Sequence, residues 1–141
     1  MSHIRIAQIS DAPELKKLND LFNGEGCNSL ESIAESLKDN PQEIVCVADT
    51  GERLSGFCCS QVCKSMCYPF PYAEITELFV LDECRRKGIG RQLVEHMENE
   101  LAKRGVRHFH ILAVKENSSA QALYRSCGYV ETSEMLLEKD V

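Results

Sequence analysis

No apolar run in this chain reaches the roughly 18 residues needed to span a bilayer, and the start Met1-Ser2-His3-Ile4-Arg5 lacks the apolar core of a secretion signal. The expectation is a cytoplasmic protein with no membrane partner. Basic charge is also scarce. There are 22 acidic residues against 16 basic ones, a net charge of −6, and the basic residues gather at one loop rather than along a face, which argues against nucleic-acid binding. The nucleotide loop GxxxxGK[ST] and the dinucleotide fingerprint GxGxxG are both missing, which disfavours ATP and NAD. Only Cys63-x-x-x-Cys67 and His108-x-His110 come near a zinc pattern, so no metal is expected, and His108 and His110 read as sheet packing. Repeats, low-complexity tracts and linkers are absent. The 141 residues read as a single domain, 1–141, large enough to bury a core.

Cysteine, in contrast, is plentiful: Cys27, Cys46, Cys58, Cys59, Cys63, Cys67, Cys84 and Cys127. Several sit inside apolar strand patterns such as Ile44-Val45-Cys46-Val47-Ala48 and Gly56-Phe57-Cys58-Cys59, where a thiol serves as a small hydrophobe in a reducing compartment. Catalysis by Cys84 or Cys127 would need a histidine supplied by the fold. A thiol or zinc sensor stays open on the count alone.

Periodicity and turn chemistry predict strand Ile4 to Gln8, helix Ala12 to Phe22, helix Leu30 to Lys38, strand Glu43 to Asp49 and strand Leu54 to Cys63. Then come strand Tyr72 to Leu81, helix Gly90 to Arg104, strand Arg107 to Val114, helix Ser119 to Cys127 and strand Tyr129 to Glu138. Asp11-x-x-Glu14 has capping-box spacing, Asn40-Pro41 stops the second helix, and Asp49-Thr50-Gly51-Glu52 reads as a hairpin turn. The order β-α-α-β-β-β-α-β-α-β is that of an α/β sandwich with a mixed sheet.

The richest stretch runs from Glu83 to Arg91, Glu-Cys-Arg-Arg-Lys-Gly-Ile-Gly-Arg. It follows an apolar strand and opens a helix whose stripe is Ile89, Leu93, Val94, Met97 and Leu101. Two glycines allow a tight turn and a close ligand approach, so the amides of the helix's first turn converge with the positive end of the dipole behind them. Arg85, Arg86, Lys87 and Arg91 surround that point, which therefore suits an anion such as a diphosphate. A second cluster, Asn117-Ser-Ser-Ala-Gln-Ala-Leu-Tyr-Arg-Ser-Cys-Gly-Tyr129, reads as a short helix with a Ser118/Gln121 capping box and a left-handed stop at Gly128.

Arg85-x-x-Gly88-x-Gly90 taken with Asn117-x-x-Ala-x-x-Leu-Tyr-x-x-x-Gly-Tyr129 resembles the GNAT superfamily, whose members transfer an acyl group from acyl-CoA to an amine. The likeness is strong from Ala73 to Tyr129 and rests on element order before that. It implies a GNAT-like sheet whose central strands splay, with acetyl-CoA as co-substrate. It also implies that Arg85, Arg86, Lys87, Gly88, Ile89, Gly90 and Arg91 hold the diphosphate. The backbone of Leu78, Phe79 and Val80 would pair with the pantetheine arm, Asn117 and its helix would flank that arm, and Tyr124 would lie near the thioester sulfur.

The chemistry sets its own requirements. An amine attacks only when neutral, so a base must take its proton. The departing thiolate needs a proton, and a phenol such as Tyr124 can give one. The thioester oxygen gains charge, which a backbone N–H near Phe79 or Val80 would stabilise. Two carboxylates compete for the base, Glu74 and Glu77. In a regular strand they face opposite ways unless a bulge shifts the phase. Counted back from Gly90, Glu74 falls where the histone-acetylating branch and some aminoglycoside acetyltransferases carry a functional glutamate, so it ranks first and Glu77 second. The ribosomal-protein N-terminal acetylases place a glutamate on the next strand, where this chain has Leu112.

The loops Asn23 to Asn28 and Ser65 to Tyr72 would wall the acceptor's side of the cleft, and Glu25, Glu74 and Glu77 favour a cationic acceptor. A small polyamine- or aminosugar-like amine is the first expectation. A protein or peptide amine, a silent acyl-CoA-binding regulatory module and a homodimer remain open.

Overall fold

The computed structural model describes residues 2–141. Its sheet has five strands in the order β1-β2-β3-β4-β5: β1 (His3–Ile6), β2 (Glu43–Asp49), β3 (Leu54–Cys63), β4 (Tyr72–Val80) and β5 (Phe109–Ile111). The helices are α1 (Ala12–Asn23), α2 (Leu30–Lys38), α3 (Ile89–Lys103) and α4 (Ser118–Ser126). β1 to β4 pair antiparallel, β1 and β2 with α1 and α2 between them in the chain, whereas β4 and β5 pair parallel. A parallel pair needs a long crossover, and α3 is that crossover.

The crossover helix forms because Ile89, Leu93, Val94, Met97 and Leu101 recur on one stripe, and all five are buried. Truncating any of the central ones to Ala would cost about 2–5 kcal/mol. β3 shows how the two faces of the sheet are divided. Ser60 meets α3, its Oγ 3.1 Å from Met97 Sδ, while Phe57, on the other parity, stacks edge-on against Phe22 of α1 at 6.1 Å. α1 and α2 thus cover one face, and α3 with α4 the other. Cys46 and Cys58 pair across β2 and β3 inside the core, where burial pushes the Cys46 thiol up to about 12 and Cys58 well up too. Both behave as the small hydrophobes expected of them.

The mixed α/β class and the element order hold through α4, and the Asp49–Arg53 hairpin forms as read, with Gly51 in the left-handed region at φ 92°. The expected final strand, Tyr129 to Glu138, does not form. Its segment joins no ladder, and Val130, Met135, Leu136 and Leu137 are exposed. A strand exists only where another edge accepts its hydrogen bonds, and β5 is three residues long rather than the eight expected over Arg107 to Val114. The segment's start is tied down by side chains, Tyr129 donating its hydroxyl to Glu98 Oε2 at 2.6 Å and Glu131 pairing with Arg125 at 3.9 Å.

Both expected capping boxes are rearranged. Asp11 does not cap α1: Arg5 draws its carboxylate away through Nη1 and Nη2 at 2.8 and 2.9 Å, and Gln8 N–H donates to it at 2.7 Å. Glu14 instead accepts from the Leu54 amide at 2.7 Å. In α4 the cap is Asn117, whose Oδ1 accepts from Ala120 N–H at 3.1 Å, while Gln121 donates to the carbonyls of Val114 and Lys115. Gly128, at φ 97°, ends the helix as expected.

Candidate active site

β4 and β5 share only three rungs, Ala73 with Phe109, Glu74 with His110 and Ile75 with Ile111. Past Ile75 the two strands part, and the outer edge of β4 from Thr76 to Val80 has no strand beside it. Leu81 N–H donates inward to Ser55, so alternation turns the Phe79 amide toward β3 and those of Leu78 and Val80 toward the opening. Val80 C=O on that edge is already occupied, accepting from Arg85 Nε at 3.0 Å. The result is a slot through the sheet, bounded by the bare edge of β4 and by α4.

A bulge decides what faces the slot. The register runs Cys59 with Glu77 and then Ser60 with Ile75, leaving Thr76 without a partner. Glu74 lies opposite Gln61 and Glu77 opposite Cys59. Those β3 residues are two apart and share a face, so both glutamates share it as well. The phase shift weighed as an exception is the case here. Phe79 continues that face, stacked on Phe22 at 5.2 Å, and Tyr72 begins it. The base candidates therefore stand together on the α1 side.

Tyr124 belongs to the other face. It is half-buried, with its ring 6.5 Å from that of Tyr129, and burial first, then the nearby Cys58 and Cys127 thiols, push its phenol above the usual value of about 10. A phenol held up in this way stays protonated at neutral pH, the state an acid needs. Burial likewise raises the Cys127 thiol, which leaves it a poor nucleophile. Acid and base candidates on opposite faces can meet only through the opening past Ile75 and Ile111.

The turn before α3 forms a concave row of amides. Arg86 is the only non-glycine residue among those described with positive φ, at 64°, and Gly88 follows at 78° as the N-cap of α3. Alternating left- and right-handed residues aim successive N–H groups inward, and a strained non-glycine residue in such a turn points to a function. Among the described residues nothing accepts from the amides of Arg86 to Arg91, and the first helical bond is Gln92 N–H to Gly88 C=O. The two glycines serve different ends. Gly88 is there for its conformation, since a Cβ would meet nothing within 4 Å. Gly90 makes room, because its Cβ would come 3.1 Å from Leu123 of α4.

The four cations expected at this turn also divide. Arg85 pairs with Asp82 at 3.1 Å and Arg91 with Glu95 at 2.8 Å, so both brace the turn. Arg86 and Lys87 have no acidic partner among the described residues. Asn117 spends its side-chain oxygen on capping α4, at the far wall of the slot.

Sequence reasoning missed one neighbour. Nε2 of His110 lies 3.1 Å from Oε1 of Glu74, a pairing of residues on adjacent strands that no local spacing reveals. Loop residues Met66, Tyr68 and Phe70 are all exposed, and the guanidinium of Arg107 lies over the Phe70 ring at 3.9 Å. Among the described residues no group of three metal-ligating side chains assembles, and no helix is long and apolar enough to cross a membrane.

The sequence profile of the GNAT acetyltransferase family matches residues 12–129. An uncharacterised N-acetyltransferase of Chlorobaculum tepidum is 33% identical over 131 residues, covering 91% of this chain and 75% of that protein. The ribosomal protein bS18-alanine N-acetyltransferase of Escherichia coli K12 is 31% identical over 91 residues, 61% of this chain and 62% of that enzyme. An aminoglycoside acetyltransferase from a soil metagenome, solved with sisomicin, superposes with a TM-score of 0.85 at 20% identity, covering 99% of this chain and 95% of that one. The nest of amides before α3, the splayed β4 and β5 and these relatives agree: the chain belongs to the GNAT family of acetyltransferases.

Proposed function

We infer that the protein transfers the acetyl group of acetyl-CoA to a primary amine of a small cationic molecule, polyamine- or aminosugar-like, by direct attack in a ternary complex. One observation carries this reading: the bulge at Thr76 sets Glu74 and Glu77 side by side on the acceptor's face of β4. Two carboxylates attract an ammonium ion and offer its proton a destination. The aminoglycoside acetyltransferase with the same fold is a precedent for such an acceptor.

Acetyl-CoA would lie along the slot with its diphosphate on the amides of Arg86, Lys87, Gly88, Ile89 and Gly90, near the side chains of Arg86 and Lys87. Arg85 and Arg91 act at one remove, by bracing that turn. The pantetheine arm would run along the edge from Leu78 to Val80 and pair with the outward groups of Leu78, leaving the Val80 amide free, with Phe79 supporting the strand from β3's side and Asn117 and α4 on the other flank. The amine's proton leaves toward the Glu74 side, Glu77 being the second candidate. As the amine nitrogen bonds to the thioester carbon, the outward amide of Val80 is placed to meet the growing charge on oxygen. The carbon–sulfur bond then breaks, and Tyr124 gives its proton to the thiolate.

The bS18-alanine acetylase relative favours a second reading, a protein N-terminal amine. Leu112 stands against it, exposed where that branch carries its glutamate. Incubation with acetyl-CoA and a panel of polyamines, aminoglycosides and alanine-initiated peptides, with free thiol followed, tests both. Thiol release with a small polyamine or aminosugar supports the proposal. Release only with peptides moves the acceptor to protein, and binding of acetyl-CoA without release to any amine makes the chain a binding module.

A further inference from the structure

Glu74 and His110 are a register pair on the last complete part of the β4–β5 ladder, one rung before the slot opens. A carboxylate only accepts, so in the tautomer that this 3.1 Å contact favours the proton is on Nε2 of His110 and the Nδ1 lone pair is uncommitted. Among the described residues His110 makes no second hydrogen bond. Both side chains can be reached from solvent, being 40% and 32% exposed. The groups that face the imidazole are Tyr72 on β4, with ring centroids 5.6 Å apart, and His108 on β5 at 6.1 Å. Gln61 lies across from Glu74 on β3, Glu77 follows on the same face of β4, and Arg107 lies over Phe70. Among the described residues His110 is the only basic side chain that pairs with Glu74.

Deepening the acetyltransfer reading above, and resting on it, we propose that His110 takes the proton of the acceptor amine, with Glu74 as its positioning residue. An N–H bond of the substrate ammonium breaks, the proton bonds to Nδ1, and the freed electron pair stays on the amine nitrogen for attack. The imidazolium keeps its Nε2–H on Glu74, whose charge stabilises it, as the acid partner does in nucleophile–base–acid triads. Imidazoles outperform carboxylates as general bases near neutral pH because they titrate close to it. Glu77, without such a partner, then helps to hold the ammonium ion.

His110→Gln and Glu74→Gln are compared with the parental protein from about pH 6 to about pH 10, using acetyl-CoA and the best amine of the panel. Glutamine at 110 still offers an N–H to Glu74 but has no basic nitrogen. The expected result is a loss in kcat of about a hundredfold or more at neutral pH that shrinks toward high pH, with KM for acetyl-CoA unchanged and partial rescue by free imidazole. Glu74→Gln loses less. Nitrogen NMR of the parental protein, which depends on no variant's folding, shows His110 with its proton on Nε2. A proton on Nδ1, or a folded His110→Gln variant within about threefold of the parental rate, overturns the inference alone. A parental protein that acetylates no amine overturns the acetyltransfer reading, and this inference with it.

Discussion

Helices α3 and α4 begin on opposite walls of the same slot, yet their first turns are completed in opposite ways. α4 is closed by its own sequence: Asn117 caps it, and Gln121 reaches back to Val114 and Lys115. α3 has a glycine at its N-cap and no side chain to accept from its first amides. A helix start left without in-chain acceptors, beside a residue in a strained conformation, is incomplete until a ligand arrives, whereas a capped start is finished architecture. In the proposed reaction the capped helix carries Tyr124 as the acid, and the open one carries the ligand's charge.

Three substitutions would break or sharpen that division, and a fourth extends it to α1. The largest effect is expected at Tyr124→Phe on the capped helix, where kcat falls about a hundredfold or more while acetyl-CoA affinity is nearly unchanged, read by steady-state kinetics and calorimetry. An acyl donor with a better leaving group should recover much of that rate, because less basic thiolates need less protonation. Gly88→Val on the open helix should weaken CoA binding about tenfold or more, since a β-branched residue resists φ 78° and would turn the amides away. Unchanged affinity in a folded variant would refute the cradle.

At α1, the N-cap acid is diverted from its helix to Arg5, so Asp11→Asn should cost about 2 kcal/mol at neutral pH. Arg5 holds the Asp11 carboxyl below the usual carboxylate range. The stability it contributes is thus complete above the unfolded value of about 3.9 and lost as pH falls through the lower folded value. Denaturation curves of parental and variant protein should converge in strong acid. The smallest effect is Asn117→Ala, about 1 kcal/mol of stability and a melting point a few degrees lower, with diphosphate binding untouched.

Much of this was legible in the chain because it is local. The spans of α2, β2 and β3 follow from apolar periods and turn residues alone, and α3's buried stripe matches the sequence stripe residue for residue. What escaped is relational. Glu74 and His110 meet from adjacent strands, and neither residue's neighbours in sequence announce the other. Tyr129 to Glu138 has strand-like composition but no edge to join, and composition cannot supply a partner. Arg85 looks like an anion ligand in a string of cations, yet Val80 and Asp82 hold it. Ser118 and Gln121 have cap spacing, but Asn117 already occupies the position from which a side chain reaches the Ala120 amide.

The unpartnered Thr76 also gives β4 one residue of slack in its length. A strand is a two-sided strip whose residues are sorted by odd and even position, and one extra residue swaps that sorting for everything on one side of it. Deleting Thr76 would only remove the bulge: Glu74 would stand two residues before Glu77, on the same face, with its pairings to Gln61 and His110 kept. In this fold a single-residue deletion at Thr76 is thus a removal of slack: it straightens the strand and leaves each remaining side chain on its own side of the sheet.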